Sequence, residues 1–442
     1  MRLGRTIPPA ASPIYIRDIS NGFKGLIRGQ REIERFRSEL KDYFGSKHCF
    51  LVSSGKAALT VILRALHGLH PERDEVLIPA FICYSVPSAI VRAGLKIKLC
   101  DVNPDTLDFD YDELGKKIQY DTKGRVRAAV DQVQRTASNE NFPYESNSNG
   151  IETVFIGKDT GQLLAVIPAH LFGLPANVEK TRSLVADPAV SVVEDAAQAF
   201  GAIGNGKKSG TLGDVNFFSL GRGKALSTVE GGIILTDRDD IADRIGACLS
   251  DTQKYNALEL IRLIINAISL ILFQRPSLFW FPKTLPFLRV GDTIYDRRFK
   301  IRKISAFQAG MAKNWQSKLE KFHESRKKNS RHWTSLAYSD AFYCYRSKNG
   351  ADPNLLRYPV KIADKNILES ILKSSQTEGL GIMPTYPESI NGINELRDVF
   401  MGQIFPGAEK LPHQLITLPI HPYVSHKDIK KISNLLSEAN NK

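Results

Sequence analysis

Cysteine is scarce in this 442-residue sequence, and its scarcity argues against two classes of structure. The five cysteines are spread along the chain, and no two of them form a Cys-x-x-Cys pair. We therefore expect neither a zinc centre nor a framework of disulfides, and we predict no metal site. A reducing compartment is the default environment for such a chain.

Long hydrophobic runs are also missing. No stretch reaches the roughly 18 uninterrupted apolar residues that a membrane-spanning helix needs. The first residues, MRLGRTIPPAASP, contain two arginines but no apolar run after them, unlike a secretory signal peptide. The sequence therefore predicts a cytoplasmic protein.

Basic residues outnumber acidic ones. Sixty Lys and Arg against 47 Asp and Glu give a net charge of +13. This balance favours an anionic partner, such as a nucleotide-linked substrate, a phosphate, an acidic membrane or nucleic acid, without choosing among them. The 42% of hydrophobic residues is typical of a globular protein and disfavours a disordered chain.

Strand and helix patterns alternate from about residue 30 onward. A helix over Gln30–Phe44, closed by Gly45, precedes a short apolar strand at His48–Ser53 and a helix over Gly55–Leu69. This order predicts a mostly parallel sheet flanked by helices, with ligands at the carboxyl ends of its strands.

The pattern changes twice further along the chain. Thr136–Gly150, rich in Asn and Ser, indicates an exposed insertion. Beyond residue 300, a long polar helix near Ser305–His332 is followed by strand and helix patterns, which predicts a smaller C-terminal α+β domain. We predict an N-terminal segment at 1–30, a large domain at 31–300 and a small domain at 301–442.

Three segments carry residues suited to chemistry. Ser53–Ala58 (SSGKAA) turns from a strand into a helix, where free N–H groups can bind an anion, although such turns are often Ser- and Gly-rich for steric reasons alone. Asp195 ends a hydrophobic strand, where a buried carboxylate needs a cation such as a protonated pyridine nitrogen. Lys224 follows another strand on a glycine-flanked loop, where partial burial would make it nucleophilic, although a plain surface lysine is commoner.

In their order along the chain and in their residues, these segments resemble the DegT/DnrJ/EryC1/StrS family of sugar aminotransferases that use pyridoxal 5'-phosphate (PLP). VSSGKAAL resembles the family's SGTAAL, and VVEDAAQAFGA and GDVNFFSLGRGKALSTVEGG look like its cofactor core. The resemblance covers roughly residues 25–437, apart from insertions at about 119–162 and 250–300. It implies a PLP-dependent transferase of fold type I: a large α/β domain with a mostly parallel central sheet, plus the small C-terminal domain. It also implies a homodimer with shared active sites.

The resemblance assigns a role to each residue of the cofactor core. Lys224 would hold PLP covalently and later move the proton between the substrate's α-carbon and the cofactor. Asp195 would pair with the pyridine nitrogen and keep it protonated, and Gln198 would reach the phenolic oxygen of the ring.

The phosphate would be held at the start of the helix. Ser219 and the backbone amides of Gly55 and Lys56 would bind it, with Ser54 beside them. Lys56 stands where the family has a threonine, so its ammonium either pairs with the phosphate or points away and leaves only its amide.

Two other positions depart from the family pattern. Cys83 occupies the place of the aromatic residue that stacks on PLP, so Tyr84 or Phe81 is expected to cover the ring. Ile301–Ser305 aligns poorly with the motif that supplies an asparagine across the dimer interface, and one of its basic residues would replace that asparagine.

These observations favour an aminotransferase that moves an amino group, usually from glutamate, to a nucleotide-linked keto-sugar in polysaccharide or glycoconjugate biosynthesis. A related dehydratase is an alternative, but that branch of the family has histidine in place of Lys224. A PLP-binding regulatory or scaffold protein without turnover is the second alternative. A nucleic-acid binder would explain the charge but not Asp195 and Lys224.

Four further polar residues have simpler structural interpretations. His170 is interpreted as a packed, hydrogen-bonded histidine in preference to a ligand contact. Asp101 is expected to cap a turn after its strand, Glu194 to orient its loop, and His421 to form part of a turn.

A last apolar segment, Leu258–Phe273, is expected to be a helix. Its polar residues recur at spacings of three and four and form one narrow stripe, so most of its surface needs cover. A protein interface is favoured, with peripheral membrane contact through residues 258–281 as the alternative.

Overall fold

The computed structural model describes residues 4–119, 161–285, 293–334, 342–345 and 351–440. Most of the insertion predicted at about 119–162, including Thr136–Gly150, lies outside these described residues.

A seven-stranded sheet forms the centre of the large domain. Its strands are β1 (His48–Val52), β2 (Glu75–Pro79), β3 (Lys96–Cys100), β4 (Leu163–Val166), β5 (Ser191–Asp195), β8 (Val215–Ser219) and β9 (Gly232–Thr236). Their order is β1-β9-β8-β5-β4-β2-β3, and only β9 runs antiparallel to its neighbours. The prediction of a mostly parallel sheet is confirmed. A separate hairpin is formed by β6 (Ile203–Gly204) and β7 (Lys207–Lys208).

Helices surround this sheet. They are α1 (Ile16–Arg28), α2 (Gln30–Phe44), α3 (Gly55–Leu69), α4 (Ser85–Ala93), α5 (111–119), α6 (Val178–Leu184), α7 (Asp239–Ser250), α8 (Ala257–Phe273) and α9 (Trp280–Lys283). Every residue of β2, β5 and β9 is buried, as expected for strands covered on both faces.

Helix ends follow from local chemistry. Ser54 caps α3, because its hydroxyl accepts a hydrogen bond of 3.1 Å from the N–H of Ala57. Gly45 and Gly94 end α2 and α4 in the left-handed conformation, with φ of +68° and +86°. The predicted helix end at Gly45 is confirmed.

The small domain is built on a four-stranded antiparallel sheet. Its strands are β10 (Phe342–Cys344), β11 (Tyr358–Ile362), β12 (Met383–Pro384) and β13 (Leu415–Leu418), in the order β10-β11-β13-β12. The helices in this part of the chain are α10 (Ala306–Met311), α11 (Trp315–Thr334), α12 (Lys365–Glu378), α13 (Pro406–Gln414) and α14 (His426–Asn440). This architecture agrees with the expected α+β domain.

Two helical features differ from the sequence prediction. The single helix expected near Ser305–His332 is wrong: the chain forms α10 and α11, because Asn314 has a φ of +58° and breaks the helical path. The N-terminal segment contains the unpredicted α1, which packs on α10. A Cβ atom at Gly25 would lie 3.0 Å from the Cα of Gly310, so glycine permits this close approach.

Helix α8 buries one side and exposes another. Leu263 and Ala267 are buried in a cluster with Phe307 and Met311. The exposed side carries apolar residues spaced by three and four positions: Leu258, Ile261, Ile265, Ile268 and Leu272. Nothing in the described chain covers this face. No helix of the described residues has the length and apolarity needed to cross a membrane.

Candidate active site

Three of the predicted site residues meet at one edge of the large sheet. Asp195 is the last residue of β5 and Ser219 the last residue of β8, and these two strands are parallel neighbours. Gly55 begins α3 just after β1 ends at the same edge. Carboxyl ends of parallel strands are where α/β proteins bind ligands, so the structure brings these residues to the expected place.

The start of α3 and the end of β8 form a cup suited to an anion. A Cβ atom at Gly55 would lie only 2.9 Å from the Cβ of Ser219, so glycine is needed for the two segments to approach. The N–H groups of Gly55 and Lys56 have no partner within the described chain. With the helix dipole behind them and the Ser219 hydroxyl beside them, these groups can bind a phosphate.

A buried carboxylate lies beside this cup. Asp195 accepts one hydrogen bond of 2.9 Å from the N–H of Ala197, and no cation of the described chain contacts it. Burial raises the pKa of Asp195, although the hydrogen bond from Ala197 and the charge of Lys224 oppose the rise. A carboxylate in this setting is stabilised by a cationic ligand.

Lys224 provides an amine near that carboxylate. It follows the Gly221–Gly223 turn, and the backbone N–H of Lys224 donates to the carbonyl of Gly221 at 3.3 Å. Burial lowers the pKa of Lys224, while the charges of Cys83 and Asp195 act in the opposite direction. An amine with a lowered pKa is more often neutral and therefore more nucleophilic.

The donor set fits pyridoxal phosphate. The cup at Gly55 and Ser219 suits its phosphate, and Asp195 suits its protonated ring nitrogen. Lys224 suits its aldehyde carbon. Since Asp195 is buried without a cationic partner in the described chain, a ligand that brings a positive ring nitrogen satisfies a group that would otherwise be costly to bury.

Gln198 connects the large domain to the small one at this site. Its Nε2 donates to the hydroxyl of Tyr386 at 3.0 Å, and its Oε1 accepts from the N–H of Phe172 at 3.2 Å. The ring of Tyr386 lies 5.2 Å from that of Phe81 and 6.2 Å from that of Phe172, measured between centroids. Burial raises the pKa of Tyr386 strongly, so its hydroxyl stays protonated.

The residues considered for stacking have different surroundings. The Tyr84 hydroxyl donates to the Glu388 carbonyl at 3.0 Å and accepts from the Glu388 N–H at 2.9 Å, which fastens it to the small domain. Phe81 is fully buried in the core. Cys83 is half-buried, and its thiol donates to the hydroxyl of Ser85 at 3.4 Å.

The side chain of Lys56 turns away from the cup in this structure. Its Nζ lies 3.5 Å from a carboxylate oxygen of Asp296 and 4.6 Å from the ring centroid of Phe299. Of the two alternatives for this residue, the geometry favours the one that leaves only the amide for an anion.

The basic residues proposed to replace an interface asparagine are held within their own chain. Arg302 forms an ion pair with Glu259 at 3.0 Å, and the Nζ of Lys303 donates to the carbonyl of Ser250 at 3.2 Å. The Arg302 carbonyl also accepts from the N–H of Ser53 at 2.9 Å, so this segment lies against the phosphate cup.

His170 and Glu194 form a buried pair that shapes the loop. The Nδ1 of His170 accepts from the N–H of Ala176 at 2.8 Å, so its Nε2 carries the proton and donates to Glu194 at 2.7 Å. Glu194 also accepts from the N–H groups of Gly210 and Leu212, at 2.6 and 2.7 Å. The packed-histidine and loop-orienting interpretations agree with this geometry.

Asp101 and His421 join distant parts of the chain. Asp101 accepts from the N–H of Val102 at 2.8 Å, directly after its strand, which agrees with the local role predicted from the sequence. It also accepts from the N–H groups of Gly407 and Ala408 at 2.8 and 2.7 Å, so it caps the distant helix α13, a long-range contact that the prediction missed. His421 accepts from the N–H of Tyr423 within its turn, as expected, and its Nε2 lies 2.7 Å from the carbonyl of Pro8.

Two residues of the small domain were not singled out from the sequence. Tyr386 follows β12, and Arg357 precedes β11 with its guanidinium carbon 5.5 Å from the ring centroid of Phe172. Neither belongs to a local motif, since both reach the site only through the packing of the two domains.

Comparison with known families supports a specific relationship. The sequence model of the DegT/DnrJ/EryC1/StrS aminotransferase family matches residues 17–130, 152–258 and 297–437. The two gaps in this match fall within the insertions predicted from the sequence, and most of α8 lies in the second gap.

Individual relatives differ in how much of the chain they match. The GDP-perosamine synthase of Vibrio cholerae is 26% identical over 212 residues, and the match spans 48% of this chain and 46% of that protein. The chain thus spans less than half the length of that relative. The pleiotropic regulatory protein of Geobacillus stearothermophilus is 24% identical over 416 residues, which are 92% of this chain and 88% of that protein.

A solved structure has the same fold over nearly the whole chain. The E. coli GDP-4-keto-6-deoxy-D-mannose-3-dehydratase with bound hydrated PLP superposes with a TM-score of 0.69 at 16% identity, and the match covers 99% of this chain and 100% of that one.

Proposed function

The chain belongs to the DegT/DnrJ/EryC1/StrS aminotransferase family, and from this premise we propose that it is a PLP-dependent aminotransferase acting on a keto-sugar. The observation that carries the proposal is that two complementary groups lie in one site. Asp195 is a buried carboxylate without a cationic partner in the described chain, and Lys224 is an amine whose pKa is lowered by burial. When bound, PLP supplies an electron sink for the carbon that loses its proton.

Each residue of the site then has a task that its surroundings permit. Lys224 holds the cofactor and moves the proton at the substrate's α-carbon, for which a lowered pKa is suited. Asp195 keeps the ring nitrogen positive. Gly55, Lys56 and Ser219 hold the phosphate at the helix start, which fixes the ring relative to the amine.

The proposed substrates are glutamate as the amino donor and a nucleotide-linked keto-sugar as the acceptor. The net charge of +13 suits a diphosphate substrate, and the relative from Vibrio cholerae is named GDP-perosamine synthase. We place the reaction in the cytoplasm, in the synthesis of cell-surface polysaccharides or glycoconjugates, and in a homodimer.

The test is to separate the two half-reactions. The PLP-loaded protein is mixed with glutamate, freed of small molecules and then mixed with nucleotide-linked keto-sugars. We expect 2-oxoglutarate in the first step and a nucleotide-linked amino sugar in the second, both identified by mass spectrometry. Absence of amino transfer from every amino acid tried, by a protein that holds PLP, contradicts the proposal.

A second candidate is a PLP-binding regulatory protein without turnover. It is favoured by one observation: the relative aligned over 92% of this chain is called a pleiotropic regulatory protein. The same experiment separates the two, because a regulator would bind PLP and stay inert to all amino donors. The dehydratase alternative is disfavoured by Lys224, as argued from the sequence.

A further inference from the structure

The backbone of Lys224 is held on both sides of its Cα atom. Its N–H donates to the carbonyl of Gly221 at 3.3 Å. Its carbonyl accepts from the hydroxyl of Ser12 and, at 3.4 Å, from the Nη2 atom of Arg326. A peptide unit is planar, so holding the units before and after Lys224 fixes the direction in which its side chain leaves the backbone.

Ser12 reaches this carbonyl on an N-terminal segment that is itself fastened to the small domain. The N–H of Ile7 donates to the carbonyl of Gly379 at 2.8 Å, and the Nε2 of His421 lies 2.7 Å from the carbonyl of Pro8. Ser12 is completely buried. Its hydroxyl is therefore shielded from water, which strengthens the hydrogen bond to Lys224.

Arg326 is a buried cation whose described hydrogen bonds all go to this region. It is only 2% exposed, and its Nη2 also donates to the carbonyl of Ala225 at 3.3 Å and to the hydroxyl of Ser12 at 3.4 Å. Its Nε and Nη1 atoms are buried without a hydrogen-bond partner in the described chain, and no carboxylate there pairs with it. Burial lowers the pKa of Arg326 to about 10, so the group stays charged at neutral pH. A buried cation without an anion is costly, and its contacts with the Lys224 loop are what this cost provides.

We propose that Ser12 and Arg326 are positioning residues, which hold the carbonyl of Lys224 so that its amine is aligned with the aldehyde carbon of PLP. This inference rests on the role proposed above for Lys224. The lysine side chain is a flexible four-carbon stem, so the place its amine reaches depends on where the stem begins. A shift of about 1 Å in a reacting group can lower a rate by about 100-fold.

The step that tests this proposal is the attachment of PLP to Lys224. The neutral Nζ forms a bond to the aldehyde carbon, and the aldehyde oxygen leaves as water with the two protons of the amine. Because the phosphate cup at Gly55 and Ser219 binds PLP separately, the rate of attachment at saturating PLP reports on the position of the amine. The PLP concentration that gives half of this rate reports on binding.

The experiment follows attachment in the full-length protein after its PLP has been removed. PLP is added at several concentrations, samples are reduced with borohydride over time, and the label on Lys224 is counted by mass spectrometry. The variants are Ser12→Ala, Arg326→Met, which has no donor, and Arg326→Lys, which keeps one. The matched controls are Ser183→Ala and Arg262→Lys, which replace an exposed serine and an exposed arginine. Thermal unfolding of each protein is recorded beside the rates.

We expect the saturating rate of attachment to fall about tenfold in Ser12→Ala and further in Arg326→Met. Arg326→Lys should recover part of the loss, and both controls should match the wild type. The half-saturating concentration of PLP should stay within twofold, because the phosphate cup is unchanged. If Arg326→Met does not fold, Ser12→Ala alone decides.

Two results would overturn the proposal. One is a saturating rate within twofold of the wild type in the folded variants. The other is a loss confined to the half-saturating concentration, which would give Ser12 and Arg326 a part in binding or in stability alone. Amino transfer is not needed for this test. If the wild type attaches PLP at Lys224 but transfers no amino group, the proposed function fails, while the attachment rates still decide whether the two residues position the lysine.

Discussion

Asp195 shows how one side chain can have an electronic role that is separate from binding. We predict that Asp195→Asn lowers turnover by about 100-fold, because a neutral amide cannot hold the ring nitrogen protonated. The phosphate cup at Gly55 and Ser219 is unchanged, so the affinity for PLP should fall much less. The measurement is kcat against PLP content after dialysis. Near wild-type turnover in this variant would make Asp195 a structural residue.

His421 makes stability depend on pH. Burial lowers its pKa to about 4, whereas the unfolded chain binds this proton below about 6.5. The unfolded state therefore binds more protons between pH 6.5 and 4, so stability that is present above 6.5 is lost as the pH falls through this window. At pH 5 the loss from this one group is about 2 kcal/mol.

Urea unfolding at pH 7 and pH 5 measures this effect. We expect His421→Gln to lose about 2 kcal/mol less than the wild type between the two values, whatever its stability at pH 7. The control is His413→Gln, which replaces an exposed histidine. Equal losses in the wild type and both variants would contradict the prediction.

The residues found from the sequence share one property. Asp195, Ser219 and Lys224 each end or follow a buried apolar strand, so their neighbours alone predicted the edge of the sheet at which they meet. Tyr386 and Arg357 approach the same place from the small domain. Nothing within a few positions of either residue encodes that approach, because it depends on how two separately formed sheets pack.

At the scale of elements, helix α8 carries an exposed apolar face that nothing in the described chain covers. From its apolar pattern we predict that a protein surface covers this face in preference to a membrane. Leu258, Ile261 and Ile265 are respectively 78%, 52% and 56% exposed, and covering an isoleucine contributes about 1.5–3 kcal/mol.

Flotation with anionic liposomes decides between the two environments. We expect that the wild type does not float with the liposomes. We expect the double variant Ile261→Ser/Ile265→Ser to behave in the same way. Strong binding that the double variant loses, while Arg262→Ser on the polar stripe retains it, would support the membrane instead. Phe279 is unsuitable for substitution because it is only 7% exposed and its loss would destabilise the fold.

Elements with matching local signals were predictable, and those without them were not. Strand β1 and helix α3 meet at a serine cap, and α2 ends at a glycine. At these places the hydrophobic pattern and the residues that begin or end a helix indicate the same boundary. The break at Asn314 was missed because asparagine also occurs within helices, and only its positive φ shows the turn. The polar stripe of α8 indicated one solvent-exposed side, but it could not show that part of the helix's apolar surface is also exposed.

At the scale of the whole molecule, we predict a homodimer with active sites at the interface. Sedimentation velocity of the PLP-loaded protein should give the mass of two chains, and dilution that produces monomers should reduce turnover in parallel. A stable monomer with full activity would contradict this prediction.

We expect Lys224 to be the residue to which PLP is bound covalently. The most direct measurement is borohydride reduction of the PLP-loaded protein, followed by proteolysis and mapping of the modified peptide by mass spectrometry. We expect a single label on Lys224, and in Lys224→Ala we expect dialysis to remove PLP without leaving a label. A label on Lys56, or no stable label on a protein that holds PLP, would contradict this expectation.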